Sequence, residues 1–219
     1  MHHPLDHEEA RVLGCLLEKH MATPDYYPLT PSALVAACNQ TSNREPVVTW
    51  DDATVEAAAA RLRQRGMAAM VHLSGSRVPK FKHMLEEYFP TLGEAERALL
   101  CVMLLRGPQT AAELRARTDR LHHFPDTDAV EATLKKLIDH GEGALVVHLP
   151  PGNGRRVSAY AQLLCGEAAA TAPATGSLAT IIPPDPDRLA AVEATLATTR
   201  EQVATLTARL DALEHALGN

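Results

Sequence analysis

Apolar residues recur at helical spacing in two separate stretches, and each stretch opens the same series of elements. Val12, Leu13, Leu16 and Leu17, with Leu5 just ahead, form one stripe, and Leu99, Leu100, Met103 and Leu104 form the other. Each stripe predicts a first helix. Asp6 with Glu9 three residues on has the pairing of a capping box. A short second helix follows in PLTPSALVAAC, from Pro28, and in PQTAAELRART, from Pro108. Thr30 and Pro31 supply an N-cap and a first-turn proline, and Leu34, Val35 and Cys38 face inward. The third helix starts near Asp51 or Asp52, turns Val55, Ala58, Ala59 and Leu62 inward, and stops at Gly66. Its counterpart carries Val130, Leu134, Leu137 and Ile138 and ends at Gly141. Strand-like stretches come next, Met70 to Leu73 and Leu145 to Leu149, and turns rich in Gly, Ser, Asn, Pro and Arg lead back into Val78 and Val157.

Helix, helix, helix, strand, turn, strand is the order of a winged helix, a helix-turn-helix domain with a β-hairpin wing. Because the order repeats, the prediction is a mainly α fold with small β-hairpin wings: tandem winged-helix domains over residues 5–83 and 92–164, plus a C-terminal heptad helix. Residues 84–91, MLEEYFPT, are too short for a free linker, so the two domains are expected to be nearly rigid with respect to one another. From 166 to 187 the composition shifts to Ala, Thr, Pro and Gly and ends in IIPPDPD, which reads as a linker partly stiffened by prolines. Beyond it, Leu189, Val192, Leu196, Val203, Leu206, Leu210, Leu213 and Leu217 alternate by three and four, with Thr199 in the missing place. Residues 188–217 are therefore a predicted coiled-coil helix. A lone helix of this kind leaves a leucine stripe in water, so a parallel homodimer is the first expectation, with folding back or capture of a partner helix as alternatives.

Composition limits what such an architecture binds. The formal charge is −6, and no segment is basic: residues 1–90 carry nine basic and eleven acidic side chains, residues 91–167 nine and ten, and residues 168–219 three and six. That balance weighs against strong sequence-independent binding to nucleic acid, which depends on neutralised phosphates. The polar start MHHPLDHEEA and the absence of any run of 18 apolar residues predict a soluble, cytoplasmic chain with no membrane association. Sixteen Arg against five Lys, with abundant Ala, resembles the bias of a GC-rich bacterial genome. Cys15, Cys38, Cys101 and Cys165 lack paired spacing, and three of them sit in apolar helical patterns as small buried hydrophobes.

One segment departs from the repeat. Between its second and third helices the first copy carries Asn39 to Trp50, where the second has only Asp119 to Pro125. Asn39, Gln40, Asn43 and Arg44 are side chains suited to specific hydrogen bonding with a phosphate, a base or a peptide group. The same residues admit a structural role, in which Asn and Thr satisfy turn backbone, Arg44 pairs with Glu45 or a nearby acid, and Trp50 plugs the core. ARVLGCLLEK, from Ala10, and ACNQTSNREPV, from Ala37, resemble the signature of the YceH-like family of uncharacterised bacterial proteins, and the likeness runs from about Leu5 to Glu167. That resemblance implies tandem winged helices, often a helical tail, and no known enzymatic activity.

No catalytic, cofactor-binding or metal-binding constellation emerges. The pairs His2-His3 and His122-His123 lack partners at ligand spacing, and Gly152-Asn153-Gly154 lacks the strand-to-helix setting and Lys-Ser/Thr ending of a phosphate loop. The expectation is a protein that is not an enzyme. Two function classes remain open. A DNA-associated regulatory protein is the narrow preference, with contacts from Arg61 and Arg65 on the third helix and from Arg77, Lys80, Arg155 and Arg156 in the wings, along with Arg63 and Lys82. Against it, acids lead both third helices: Asp51, Asp52 and Glu56 in one, Asp126, Asp128 and Glu131 in the other. The alternative is a protein-interaction module of the kind found in chromosome-segregation complexes, holding a polypeptide and not touching DNA.

Overall fold

Local capping chemistry sets where the helices begin. In this computed structural model, which describes residues 4–73, 78–151 and 156–166, helix α1 spans His7–Ala22. Asp6 accepts from the Glu9 amide, and Glu9 reaches back to the Asp6 amide. α2, Pro31–Cys38, starts at the Thr30 cap with proline in its first turn, and α3, Asp52–Gln64, is capped by the Asp51 carboxylate on the Thr54 amide. Gly66 then takes a φ of 75°, the left-handed conformation that ends α3 with no Cβ penalty. Strands β1, Ala68–Val71, and β2, Lys80–His83, pair antiparallel from Ala68↔His83 to Val71↔Lys80.

After a four-residue helix α4, Leu85–Tyr88, the series repeats. α5 is Glu94–Arg106; α6, Ala111–Thr118, carries a Thr110/Glu113 capping box; and α7, Thr127–Ile138, is capped by Asp126. β3, Val146–Leu149, pairs antiparallel with β4, Ala159–Gln162. The repeat extends to a detail: the chain just before α2 bridges β2 at Leu29↔Phe81, and the chain just before α6 bridges β4 at Gln109↔Tyr160. The described residues are thus mainly helical, with two small antiparallel hairpins.

The first strand lies two residues nearer the N-terminus than the sequence pattern predicts, Ala68–Val71 rather than Met70 to Leu73, because the chain enters the hairpin directly from the Gly66 turn. Leu73 is left exposed. The helix-three apolar sets match: Val55, Ala58, Ala59, Leu62, Val130, Leu134 and Leu137 are buried, with Ile138 half-buried.

Two helices are more buried than an amphipathic pattern allows. Residues Glu9 to Leu17 of α1 and Ala98 to Leu105 of α5 are buried without a break. A helix enclosed all round has neighbours on every side, and here α1 packs on α2 and α3 and, across the repeat, on α5. Their approach is close: the Cys101 thiol donates to the Gly14 carbonyl at 3.4 Å, and a Cβ built on Gly14 would lie 2.8 Å from Leu105 Cδ2. Leu13, Leu16, Leu17, Leu99, Leu100 and Met103 are all essentially unexposed, each contributing about 1.5–3 kcal/mol by burial. One core cluster therefore runs from Leu5 to Val146 through both copies. The Leu5 amide, donating to the Leu164 carbonyl at 2.7 Å, ties the start of the first copy to the end of the second.

The chain divides into units of residues 1–176 and 177–219, a boundary within the compositional linker at 166–187. The heptad run 188–217, with all eight of its apolar positions, lies outside the described residues, as do most of the linker, Arg77 and Arg155.

Candidate functional site

The segment between α2 and α3 buries Arg44, holds Asn39, Gln40 and Glu45 half-buried, and leaves Thr41, Ser42, Asn43 and Thr49 exposed. Arg44 has no exposed side-chain surface. Its Nη1 and Nη2 donate to the two oxygens of Glu18 at 3.0 and 2.6 Å, and its Nε donates to the Ala37 carbonyl at 3.0 Å. Burial would raise the Glu18 carboxyl, but the hydrogen bonds and charge of Arg44, helped by Lys19, outweigh it and hold that carboxyl below its ordinary value. Asn39 brackets Trp50, donating to its carbonyl at 2.7 Å and accepting from its amide at 2.8 Å. Gln40 accepts from Lys19 Nζ at 3.2 Å and donates to Ser42. Asn43, at φ 57°, accepts from Arg106 Nη1 at 2.9 Å, and the Glu45 amide donates to the Leu105 carbonyl at the end of α5. Arg11, itself buried, donates to the Cys38 and Pro46 carbonyls from below and lies 5.9 Å from the half-buried Trp50 ring. The segment straps α1 to α5. Presenting Arg44 to a phosphate or base would require breaking a bidentate buried ion pair.

Arg61 and Arg65 are also occupied. Arg61 Nη2 sits 2.9 Å from Asp6, and Arg65 Nε sits 2.8 Å from the fully buried Glu9, while Arg65 Nη1 donates to the Pro4 carbonyl. They join α3 to the start of α1. What α3 leaves exposed is Asp51, Asp52, Ala53, Glu56, Ala57, Ala60, Arg63 and Gln64; α7 exposes Asp128, Glu131, Ala132, Lys135 and Lys136. Asp51 and Asp126 lead these helices because a carboxylate caps each first turn. Of the hairpin cations, Lys80 is half-buried, Lys82 lies 3.8 Å from Glu87, and Arg156 is exposed.

The sequence reading missed a cleft of about 120 Å³ between α1, the strap, α5 and α6. Lys19, Arg106, Arg117 and Arg120 line it together with Glu18, above an apolar part that includes Ala22, Val102, Leu105 and Leu121. Arg106 Nε and Arg117 Nη1 are buried with no hydrogen-bond partner among the described residues. Burial, then the charge of Arg117, pulls the Arg106 guanidinium below its ordinary value. Arg117 and Arg120 are three positions apart, a spacing present in the sequence, but nothing there brings α5 beside them.

A second buried polar cluster joins α1 to β2. The Leu85 amide donates to His83 Nδ1 at 3.2 Å, so the neutral ring carries its proton on Nε2 and donates it to His20 Nδ1 at 2.8 Å. Tyr27 stacks on His20, and its hydroxyl accepts from the His83 amide. Burial, with the charges of His20, Arg97 and Lys82, holds His83 down to about 3. Among the described residues, no three His, Cys, Asp or Glu side chains group to hold a metal. His123 pairs with Asp119 at 2.7 Å. Cys15, Cys38 and Cys101 are buried and free, and burial pushes the Cys101 thiol well up.

Residues 5–171 match the family described as "Protein of unknown function, DUF480". The chain belongs to that family. The UPF0502 protein of Solibacter usitatus is 47% identical over 190 residues, covering 86% of this chain and 89% of the relative. A UPF0502 protein of Vibrio atlanticus is 44% identical over 209 residues, covering 94% and 96%, and one of Pelobacter propionicus is 44% identical over 207 residues, covering 92% and 93%. The YceH-like resemblance of ARVLGCLLEK and ACNQTSNREPV agrees with this DUF480 membership. The strap and the cationic cleft both fall within the DUF480 match. No helix among the described residues is long and apolar enough to cross a membrane.

Proposed function

We propose that this DUF480 member is a non-enzymatic tandem winged-helix protein of the bacterial cytoplasm that docks another polypeptide and does not read DNA through its third helices. The observation that carries this reading is the charge at the exposed N-terminal ends of the third helices. Asp52 and Glu56 on α3, with Asp128 and Glu131 on α7, stand at the end that would approach a groove, while Arg61 and Arg65 are held against Asp6 and Glu9. Each carboxylate within about 4 Å of a phosphate costs on the order of 1 kcal/mol even in water. The leading turns of both helices, which expose alanine and carboxylate, suit a basic polypeptide partner instead, while Arg63, Lys135 and Lys136 are exposed farther along. The heptad positions Leu189 to Leu217 support pairing of two chains, which would double weak contacts made by each copy.

The test uses the full chain. Fluorescence anisotropy with mixed-sequence duplex DNA is expected to find no binding that steepens as salt falls. Pull-down followed by crosslinking is expected to recover a polypeptide whose capture is lost on Glu56→Lys with Glu131→Lys, while melting temperature and light-scattering mass stay unchanged. Salt-dependent DNA binding abolished by Arg156→Ala with Lys80→Ala would replace this reading with a DNA-associated regulatory protein gripping the backbone through its wings.

A further inference from the structure

The cleft between α1, the strap, α5 and α6 carries charge that the fold does not use. Its lining holds four cations, Lys19, Arg106, Arg117 and Arg120, against the single carboxylate of Glu18, a net charge of three positive in a chain of net charge −6. Glu18 is already committed to Arg44 and Lys19. Arg106 spends Nη1 on Asn43, and Arg117 places Nη2 3.4 Å from Glu113, which leaves Arg106 Nε and Arg117 Nη1 as buried donors with no protein partner among the described residues. Arg120 is exposed. Cations at the last turns of α5 and α6 complement the helix dipoles. That accounts for a positive charge at each helix end, but it does not account for guanidiniums of two different helices meeting on one cleft wall, where each repels the other. A bound oxyanion relieves that repulsion, because its charge lies between the cations and its oxygens accept from their N–H groups.

We propose that this cleft binds a small phosphate-bearing anion, held by the guanidiniums of Arg106, Arg117 and Arg120 and by the Lys19 ammonium. A multiply charged phosphate matches the excess of three positive charges better than a single carboxylate does, and the size of the cleft suits a small anion rather than a folded element. The site is lined by the first copy through Lys19 and by the second through the three arginines, so a bound anion braces the junction between them. The assignment does not depend on the partner proposed for the third helices.

The experiment is isothermal titration calorimetry of the full chain with inorganic pyrophosphate at constant ionic strength, alongside thermal unfolding. Saturable binding is expected, with a rise in melting temperature that matched chloride does not give. Arg117→Ala with Arg120→Ala should weaken binding at least about tenfold, equivalent to about 1.4 kcal/mol, while the unliganded melting temperature holds or rises because repulsion is relieved. Arg106→Lys, which keeps the charge and loses the planar donors, should weaken binding several-fold. Absence of saturable binding, or equal binding by wild type and variants, overturns the assignment. So does a poly-glutamate peptide that binds where pyrophosphate does not. A DNA duplex that binds with the same arginine dependence, with pyrophosphate inert, overturns both this assignment and the non-DNA reading; pyrophosphate binding with DNA inert supports both.

Discussion

Arg44→Ala tests whether the segment between α2 and α3 is a strap or a recognition loop. The substitution removes two hydrogen bonds to Glu18, at 3.0 and 2.6 Å, one to the Ala37 carbonyl at 3.0 Å, and one to the Asn43 carbonyl at 3.0 Å. Side-chain exposures of 0% for Arg44 and 13% for Glu18 put the pair in the interior, so surface screening does little to soften the loss. Removing one partner of a buried pair strands the other and costs about 3–5 kcal/mol. Lys19 Nζ, 3.2 Å from Glu18, remains as a partial partner and places the expectation near the lower end, about 3 kcal/mol. For a chain of this length that lowers the melting temperature by about 6–12 °C. Urea unfolding followed by far-ultraviolet circular dichroism measures it, and a double-mutant cycle with Glu18→Ala should return a coupling of about 1–3 kcal/mol. The pH dependence supplies a further check. The Glu18 carboxyl is held below its ordinary value of 4.5, so the stabilisation is present above that pH and is lost as pH falls through the folded-state value. The gap between wild type and Arg44→Ala should therefore narrow in acid. A loss under about 1 kcal/mol, the range of exposed pairs, would show that Arg44 is not held in the interior, and the strap would be refuted.

Gly14→Ala places a Cβ 2.8 Å from Leu105 Cδ2 and 3.2 Å from Leu104 Cβ; overpacking of about 1–3 kcal/mol should exceed the helix-propensity gain of about 1 kcal/mol, so chemical denaturation should report net destabilisation, and a net gain would mean that α1 and α5 do not meet closely. His83 is held at about 3 against an ordinary 6.5, so the unfolded chain binds the extra proton and stability falls with pH across that window. Between pH 7.5 and 5 this amounts to about 2 kcal/mol, and His83→Gln should flatten the slope; an unchanged slope would place the titration elsewhere.

What the sequence determined by itself is local. Asp6 with Glu9, Thr30 with Pro31, Asp51 and Gly66 start or stop helices through contacts within four residues, so they were legible without knowing the fold. The twofold recurrence of apolar stripes announced the repeated element order for the same reason, since periodicity records which face of each element is covered. Which neighbour does the covering was decided only by tertiary structure. Burial of α1 and α5 all round follows from their packing on each other, and no single helix encodes that. The polar side chains of the α2–α3 connection look outward-facing in a string of letters; Arg44 turns inward because Glu18, 26 positions before it, arrives beside it, and the exposed Asn43 is held by Arg106, 63 positions after it. Arg61 and Arg65 read as free cations until α1 brings Asp6 and Glu9 to them. The cationic cleft has the same origin, because charges far apart in sequence repel or pair only once packing has set their distances, and Coulomb energy depends on distance, not on order along the chain.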